Sequence, residues 1–278
     1  MSCDSFSSFC LSTIERHSCR YGFNPGSVLL VDNSASSATA ALCAVTTTLA
    51  AACGCLTAMF TDTIIEKQFT GEETYDLIMA MNGALAGLVS ITAGGSVVAP
   101  WASVIIGIVA GRVYYGFSTL LLKMRIDDAV DAIPVHFANG VWGVIAVGLF
   151  AEPDAMAVAG YSTAHVGWFY NGSDATLLLV QIIAVMWILG WVSTLMAPFF
   201  LMLNAAGMFR VHPLDEGAGL YICLHRGSAY DLPDPKSEDV EDLETVRLER
   251  SYLYMDPRVN SQSAVPLDMI PAYRYFVK

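Results

Sequence analysis

One imidazole stands inside a long apolar stretch: His136, in the run DDAVDAIPVHFANGVWGVIAVGLF over residues 127–150. A neutral imidazole both donates and accepts a hydrogen bond. Ionisable groups at membrane depth are costly and therefore functional candidates. His136 thus suits a path for a small polar molecule, although a satisfied hydrogen bond between helices fits the spacing as well. Asp127 and Asp128 open the run, where carboxylates cap a helix and complement its positive end. Asp131 lies three residues past Asp128, the spacing at which it reaches back to the helix start as in a capping box. Pro134 removes one backbone donor and predicts a bend near His136. Arg112 is a second ionisable group within an apolar run, expected to snorkel toward the interface or to pair with a carboxylate. The five histidines have no i,i+4 pairing, and no HExxH, GxSxG or GxxxxGK occurs. Neither a metal site nor a catalytic centre is indicated, no cofactor is implied, and the chain is not expected to be an enzyme.

The elements that must position these residues follow from composition. Of 278 residues, 55% are hydrophobic and 14% charged, against about 25% charged in soluble domains. This excludes a disordered chain and argues against an ordinary soluble globule. The net charge of −12 argues against nucleic acid as a partner. Five apolar runs, Ser36–Phe60, Leu77–Val98, Trp101–Leu122, Ala132–Ala151 and Ala175–Asn204, lie near the ~20 residues that a bilayer-spanning helix needs. The expected fold is an all-α polytopic membrane helix bundle with about five transmembrane helices. Gly83, Gly87 and Gly94, the Gly107/Gly111 GxxxG pair, and Gly140 with Gly143 are small residues of the kind that let membrane helices approach closely.

Orientation follows from Lys and Arg in the loops. Loop 61–76 holds Lys67, loop 123–131 holds Lys123 and Arg125, and loop 152–174 holds none. The tail past the last run carries eight of the chain's 14 basic residues, beginning with Arg210. The tail is therefore expected on the cytoplasmic side and loop 152–174 outside. That loop carries Asn171-Gly172-Ser173, a candidate glycosylation sequon. The polar head lacks the charged start and apolar core of a secretory signal. Tail segment SEDVEDLETVRLER has helical spacing of Val240, Leu243, Val246 and Leu248, consistent with a short amphipathic helix or a solvated tail. Seven scattered cysteines with no CxxC are expected to be unpaired thiols.

Five stretches resemble the ammonium transporter (Amt/Mep/Rh) superfamily, its Amt branch in particular. They are YGFNPGS at 21–27, AVTTTLA at 44–50, NGALAGLVSITAGGSVVAPWASVIIG at 82–107, DDAVDAIPVHFANGVWG at 127–143 and DEGAGLYICLHRGSAYDL at 215–232. The resemblance implies a trimer of eleven-helix protomers, each with a narrow hydrophobic pore. An aromatic and serine vestibule would recruit ammonium, stacked phenylalanines would gate the entrance, and two facing histidines would line the middle. Ammonia and a proton would cross in a coupled way. Carried over residue by residue, Phe23 matches a gate phenylalanine, Ser27 the recruitment serine and His136 the second pore histidine. Asp128 and Asp131 match acidic positions at the start of the pore helix, and Gly219 and His225 fall in the regulatory tail, where Tyr221 stands in place of the usual aspartate.

The implied partners are ammonium or ammonia, the lipid bilayer, and copies or relatives of the chain in a homotrimer or mixed trimer. The implied setting is nitrogen uptake at a plasma membrane. On this reading residues 1–20 are a polar head unlike the family, 21–210 a partial membrane domain and 211–278 a cytoplasmic tail. The family's first five helices and most of its sixth have no counterpart in the chain. It therefore reads as a C-terminal half, from a truncated gene model, a splice form or a fragment. Since the pore needs both halves, two readings stay open: ammonium transport, or a non-transporting subunit or ammonium sensor of the same family.

Overall fold

The computed structural model describes residues 22–29, 31–71, 75–128 and 130–209. The described residues fall in two units, Met1–Trp191 and Val192–Lys278. In the first, a 3-10 turn (Pro25–Val28) precedes helix α1 (Ser34–Thr70), which begins where the Asn33 side chain accepts the Ser36 amide at 2.9 Å. The first apolar run ends at Phe60, yet α1 continues to Thr70. Residues 61–70 bring in Asp62, Glu66, Lys67 and Gln68 but contain neither Gly nor Pro, so the helix continues past the apolar run. It stops at Gly71, whose φ of 79° is the left-handed cap that glycine adopts without strain.

Helix α2 (Leu77–Thr92) is capped by Asp76, which accepts the Ile78 amide at 2.7 Å. Its 16 residues make about 24 Å of helix, less than the ~30 Å hydrocarbon core. The apolar run was expected to continue as helix to Val98. It breaks instead at Thr92 into turns, in which the amides of Val97 and Val98 both donate to the Gly94 carbonyl. Helix α3 (Pro100–Met124) follows, with proline in its first turn, where its missing donor costs nothing. It ends with Arg125 at φ 56° and the Ile126 amide on the Leu121 carbonyl at 3.0 Å. A π-helical turn (Ile133–Ala138) leads into α4 (Asn139–Phe150); the short α5 (Pro153–Val158) and the long α6 (Thr176–Ala205) complete the order. Among the described residues, four helical segments are long and apolar enough to cross a membrane: Ser34–Gln68, Pro100–Met124, Ile133–Phe150 and Thr176–Ala205.

The core is built on glycine and alanine. Ala50, fully buried, presents its carbonyl to both Gly87 of α2 and Gly107 of α3, where a Cβ on either would strike it. One turn on, a Cβ on Gly54 would meet the Gly83 carbonyl at 2.5 Å, and one on Gly111 would meet the Gly54 carbonyl at 2.7 Å. Helices α1, α2 and α3 thus touch backbone to backbone. Gly143 seats α4 on α2 in the same way, a Cβ there falling 2.5 Å from the Ser90 carbonyl. Buried hydroxyls turn inward: Thr46 donates to the Gly95 carbonyl at 2.9 Å, and Thr39 and Thr63 to carbonyls four residues back. The loops at one end are tied together through the Val98–Ala151 bridge, with the Glu152 amide on the Val97 carbonyl at 2.8 Å.

Residues 192–209 of the second unit continue α6 and are exposed nearly throughout, with Phe200 packed against Phe199 and Phe209.

Replacing Gly87 or Gly107 by Ala is expected to destabilise the bundle by about 1–3 kcal/mol through overpacking. Gly116, which has nothing within 4 Å of an added Cβ, is the control: Gly116→Ala should be neutral or stabilising by up to about 1 kcal/mol. Thermal unfolding of the variants in one detergent checks both.

Candidate functional site

The π turn is pinned at both ends by polar side chains, half-buried at its start and fully buried at its far end. At its start, both oxygens of Asp128 accept backbone amides, Ala132 at 2.9 Å and Ile133 at 2.7 Å, so the expected cap forms. Asp131 does not reach back to the helix start. Its backbone adopts φ 53°, which turns its carboxylate away toward α2 and α3. There Oδ2 accepts the Tyr114 hydroxyl at 2.7 Å and the Asn82 amide at 3.1 Å, and Oδ1 accepts the Ser118 hydroxyl at 3.3 Å. Asn82 also donates to the Tyr114 oxygen at 3.2 Å. Tyr114 is fully buried, and three helical elements meet on this one carboxylate.

At the far end, the buried Asn139 side chain donates to the Pro134 carbonyl at 2.8 Å and accepts the Ser90 hydroxyl at 3.1 Å. The side-chain amide thus supplies a donor to the Pro134 carbonyl inside the wider π turn. The bend that Pro134 implied is thus a π turn. Pro134, Val135, Ala138 and Asn139 are buried, while His136 and Phe137 are exposed on the other face. The turn holds the imidazole outward on a backbone that its neighbours fix.

Phe23 and Ser27 lie together at the opposite end of the helices. The Ser27 hydroxyl donates to the Phe23 carbonyl, and both residues line a cavity of about 390 Å³ together with Asn24, Thr39, Thr92 and Ser96. Asn24, only 7% exposed, donates to the Thr47 hydroxyl at 3.1 Å, and its Oδ1 is buried with no hydrogen-bond partner among the described residues. The cavity is therefore lined by an aromatic ring, hydroxyls and a carbonyl acceptor, a set that can receive a small cationic donor.

Asn171 is exposed in the loop before α6, its Oδ1 accepting the Ser173 hydroxyl at 2.7 Å. Beside it, Asp174 accepts the Thr176 amide at 2.9 Å and lies 2.7 Å from His165 Nδ1. The Thr176 hydroxyl chiefly, then His165 and the Thr176 amide, hold the Asp174 carboxyl down to about 2. Trp101, Phe150, Phe169 and Tyr170 pack as a ring cluster at this end, the kind of aromatic girdle that sits at a membrane interface. Burial, with the charge of Glu152, raises the Tyr170 phenol, and its bond to Trp101 works against that. Gly219, His225 and the 237–250 segment lie outside the described residues.

A sequence model described as the Ammonium Transporter Family matches residues 20–230. The chain belongs to the ammonium transporter family. The tomato ammonium transporter 1 member 1 is 38% identical over 226 residues, covering 78% of this chain and 45% of that protein. The rice ammonium transporter 1 member 2 is 37% identical over 223 residues, covering 77% of this chain and 44% of that protein. The crystal structure of Candida albicans Mep2 superposes with a TM-score of 0.66 at 27% identity, covering 83% of this chain and 51% of that one. The chain spans a little under half the length of these curated relatives. Like the family, it is an integral membrane helix bundle.

Asn82, Tyr114, Ser118, Ser90 and Asn139 escaped the sequence reading. Their signal was their polarity within apolar runs, which expense at membrane depth makes informative even for uncharged groups. Asp131→Ala should leave the buried Tyr114 and Ser118 hydroxyls without their acceptor and cost about 2–5 kcal/mol, while Tyr114→Phe, which leaves the carboxylate its Asn82 and Ser118 donors, should cost about 1–2 kcal/mol; detergent-solubilised thermal unfolding compares them. The Asp174 carboxyl sits below its ordinary 3.8, so its contribution is present above about pH 4 and lost as pH falls through about 2. The protection factor of the Thr176 amide, corrected for intrinsic exchange, should fall over that window, and Asp174→Asn should abolish the dependence.

Proposed function

We propose that this chain carries ammonium across a membrane as one wall of a pore completed by further helices. The observation that carries the reading is the imidazole of His136, turned outward from a π turn that Asp128, Asp131 and Asn139 fix in place. Ammonium is recruited in the cavity at the Phe23 end. The ring face attracts the cation by ~0.5–2 kcal/mol, and the Ser27 hydroxyl accepts a hydrogen bond in place of water. In the narrow apolar passage the neutral form is favoured, because an uncompensated charge there lacks hydration. His136, with one donor and one acceptor, hydrogen-bonds the passing ammonia, and the proton crosses in a coupled step. Asp128 and Asp131 act by positioning the His136 turn.

The chain sits with its tail in the cytoplasm on this reading, since Lys67, Lys123 and Arg125 fall at one end of the crossings and the tail sequence carries eight further basic residues. The plasma membrane is the proposed location, and a homotrimer or mixed trimer the proposed assembly.

The test joins this chain to the N-terminal half of the tomato relative and measures ammonium uptake in a transport-deficient cell. Uptake is expected for the joined form. Phe23→Ala should weaken the apparent affinity about 2- to 30-fold, the range of one cation–π contact. His136→Ala should alter selectivity and pH dependence; unchanged uptake, selectivity and pH profile would remove His136 from the pathway.

A further inference from the structure

The cavity beside Phe23 is lined by side chains that keep their oxygens for it and send their hydrogens elsewhere. Thr39 spends its hydroxyl hydrogen on the Ala35 carbonyl at 3.0 Å, and Thr92 on the Leu88 carbonyl at 2.7 Å, each one turn back on its own helix. Ser27 gives its hydrogen to the Phe23 carbonyl. The Asn24 amide nitrogen donates to the Thr47 hydroxyl oxygen at 3.1 Å. What Asn24 leaves for the cavity is Oδ1, and what Ser27 and Thr39 leave is oxygen lone pairs. The Ser36 and Ser96 hydroxyls rotate and can present oxygen as well.

Asn24 is more than nine-tenths buried and Thr47 fully so, which clamps the amide in one place. Along α1 the cavity touches Ser36, Thr39 and Cys43, and Thr47 is the next position on that face. Asn24 therefore marks the inner end of the cavity. Past the α2 break, Ala93, Gly95 and Ser96 form another wall. A buried carbonyl with no described partner is costly and calls for a donor that enters the cavity. An amide or hydroxyl solute brings acceptors of its own, which would face lone pairs here. A small cation with N–H groups on every side brings donors alone, and its charge strengthens each bond. A quaternary ammonium ion meets the Phe23 ring equally well but has no hydrogen for Oδ1.

We propose that the Asn24 side-chain carbonyl selects donor-bearing cations of the ammonium class in this cavity, with Thr47 the positioning residue that aims it. The inference rests on the reading that ammonium enters at the Phe23 end, and adds the group that tells it from a cation unable to hydrogen-bond.

The test measures binding to the full chain in detergent, from the line broadening of 15N-ammonium and of tetramethylammonium. The wild-type chain should bind ammonium more tightly than tetramethylammonium. Asn24→Leu should weaken ammonium about tenfold, the scale of one hydrogen bond to a charged group, and leave tetramethylammonium within about twofold. Asn24→Asp keeps an oxygen in place and should retain ammonium; being nearly isosteric, it carries the test if the leucine variant unfolds. Thr47→Val should weaken ammonium about threefold and add little on top of Asn24→Leu, since the two act as one unit. Absence of ammonium binding, equal binding of the two cations to the wild type, a parallel loss of both in Asn24→Leu, or loss of ammonium in Asn24→Asp overturns the proposal. Because no transport is measured, this assay and the uptake assay of the joined form fail independently.

Discussion

Everything in this bundle hangs on the contact of backbone with backbone at Ala50 and Gly54. In lipid, apolar side chains gain little by leaving one hydrocarbon for another, so helix association rests on dispersion and on short polar contacts. Both require the helix axes to come close. Gly87 and Gly107 bring α2 and α3 onto the same carbonyl of α1, and Gly83 and Gly111 repeat the arrangement one turn away. With α1, α2 and α3 locked, Asn82 and Tyr114 fall where they converge on Asp131, and Gly143 can seat α4 against Ser90. The placement of His136 is thus a downstream result of where side chains are missing.

The polar groups form a second layer that depends on the first. Hydroxyls and amides bonded at 2.7–3.3 Å around Asp131 and Asn139 are worth having in a dry interior only when every partner is present. The close-packed glycines exclude the lipid that would otherwise separate these residues. The cavity beside Phe23 differs: there Thr39, Thr92 and Ser96 border open space, and the Asn24 carbonyl is buried without a described partner. One end of the bundle is internally saturated, and the other keeps acceptors in hand.

Much of this was legible beforehand. The apolar runs mark all five long elements, because hydrocarbon selects residue type directly. Helix ends were less legible: hydropathy locates the membrane boundary near Phe60, whereas the α1 backbone ends at the first residue that breaks it, Gly71. The break of α2 after Thr92 was masked because Gly94 and Gly95 also read as packing residues. Asp128 was legible as a cap since capping is local. Asp131 was not, since its partners lie 13 to 49 residues away and its left-handed φ has no signature in a non-glycine residue.

The π turn has a consequence for how this helix can evolve. Such a turn amounts to one surplus residue accommodated without breaking the helix, and one residue is about 100° of rotation. The helix therefore keeps two independent angular settings: one fixed below the turn by Asp131, the other above it by Asn139 and Gly143. Loss of a single residue between Ile133 and Ala138 would swing the histidine and its phenylalanine neighbour by more than a quarter turn relative to one of those anchors, while every other helix stayed in place. The segment can be retuned by insertion and deletion, a coarser instrument than substitution, and the anchors on either side confine the damage to the imidazole's bearing.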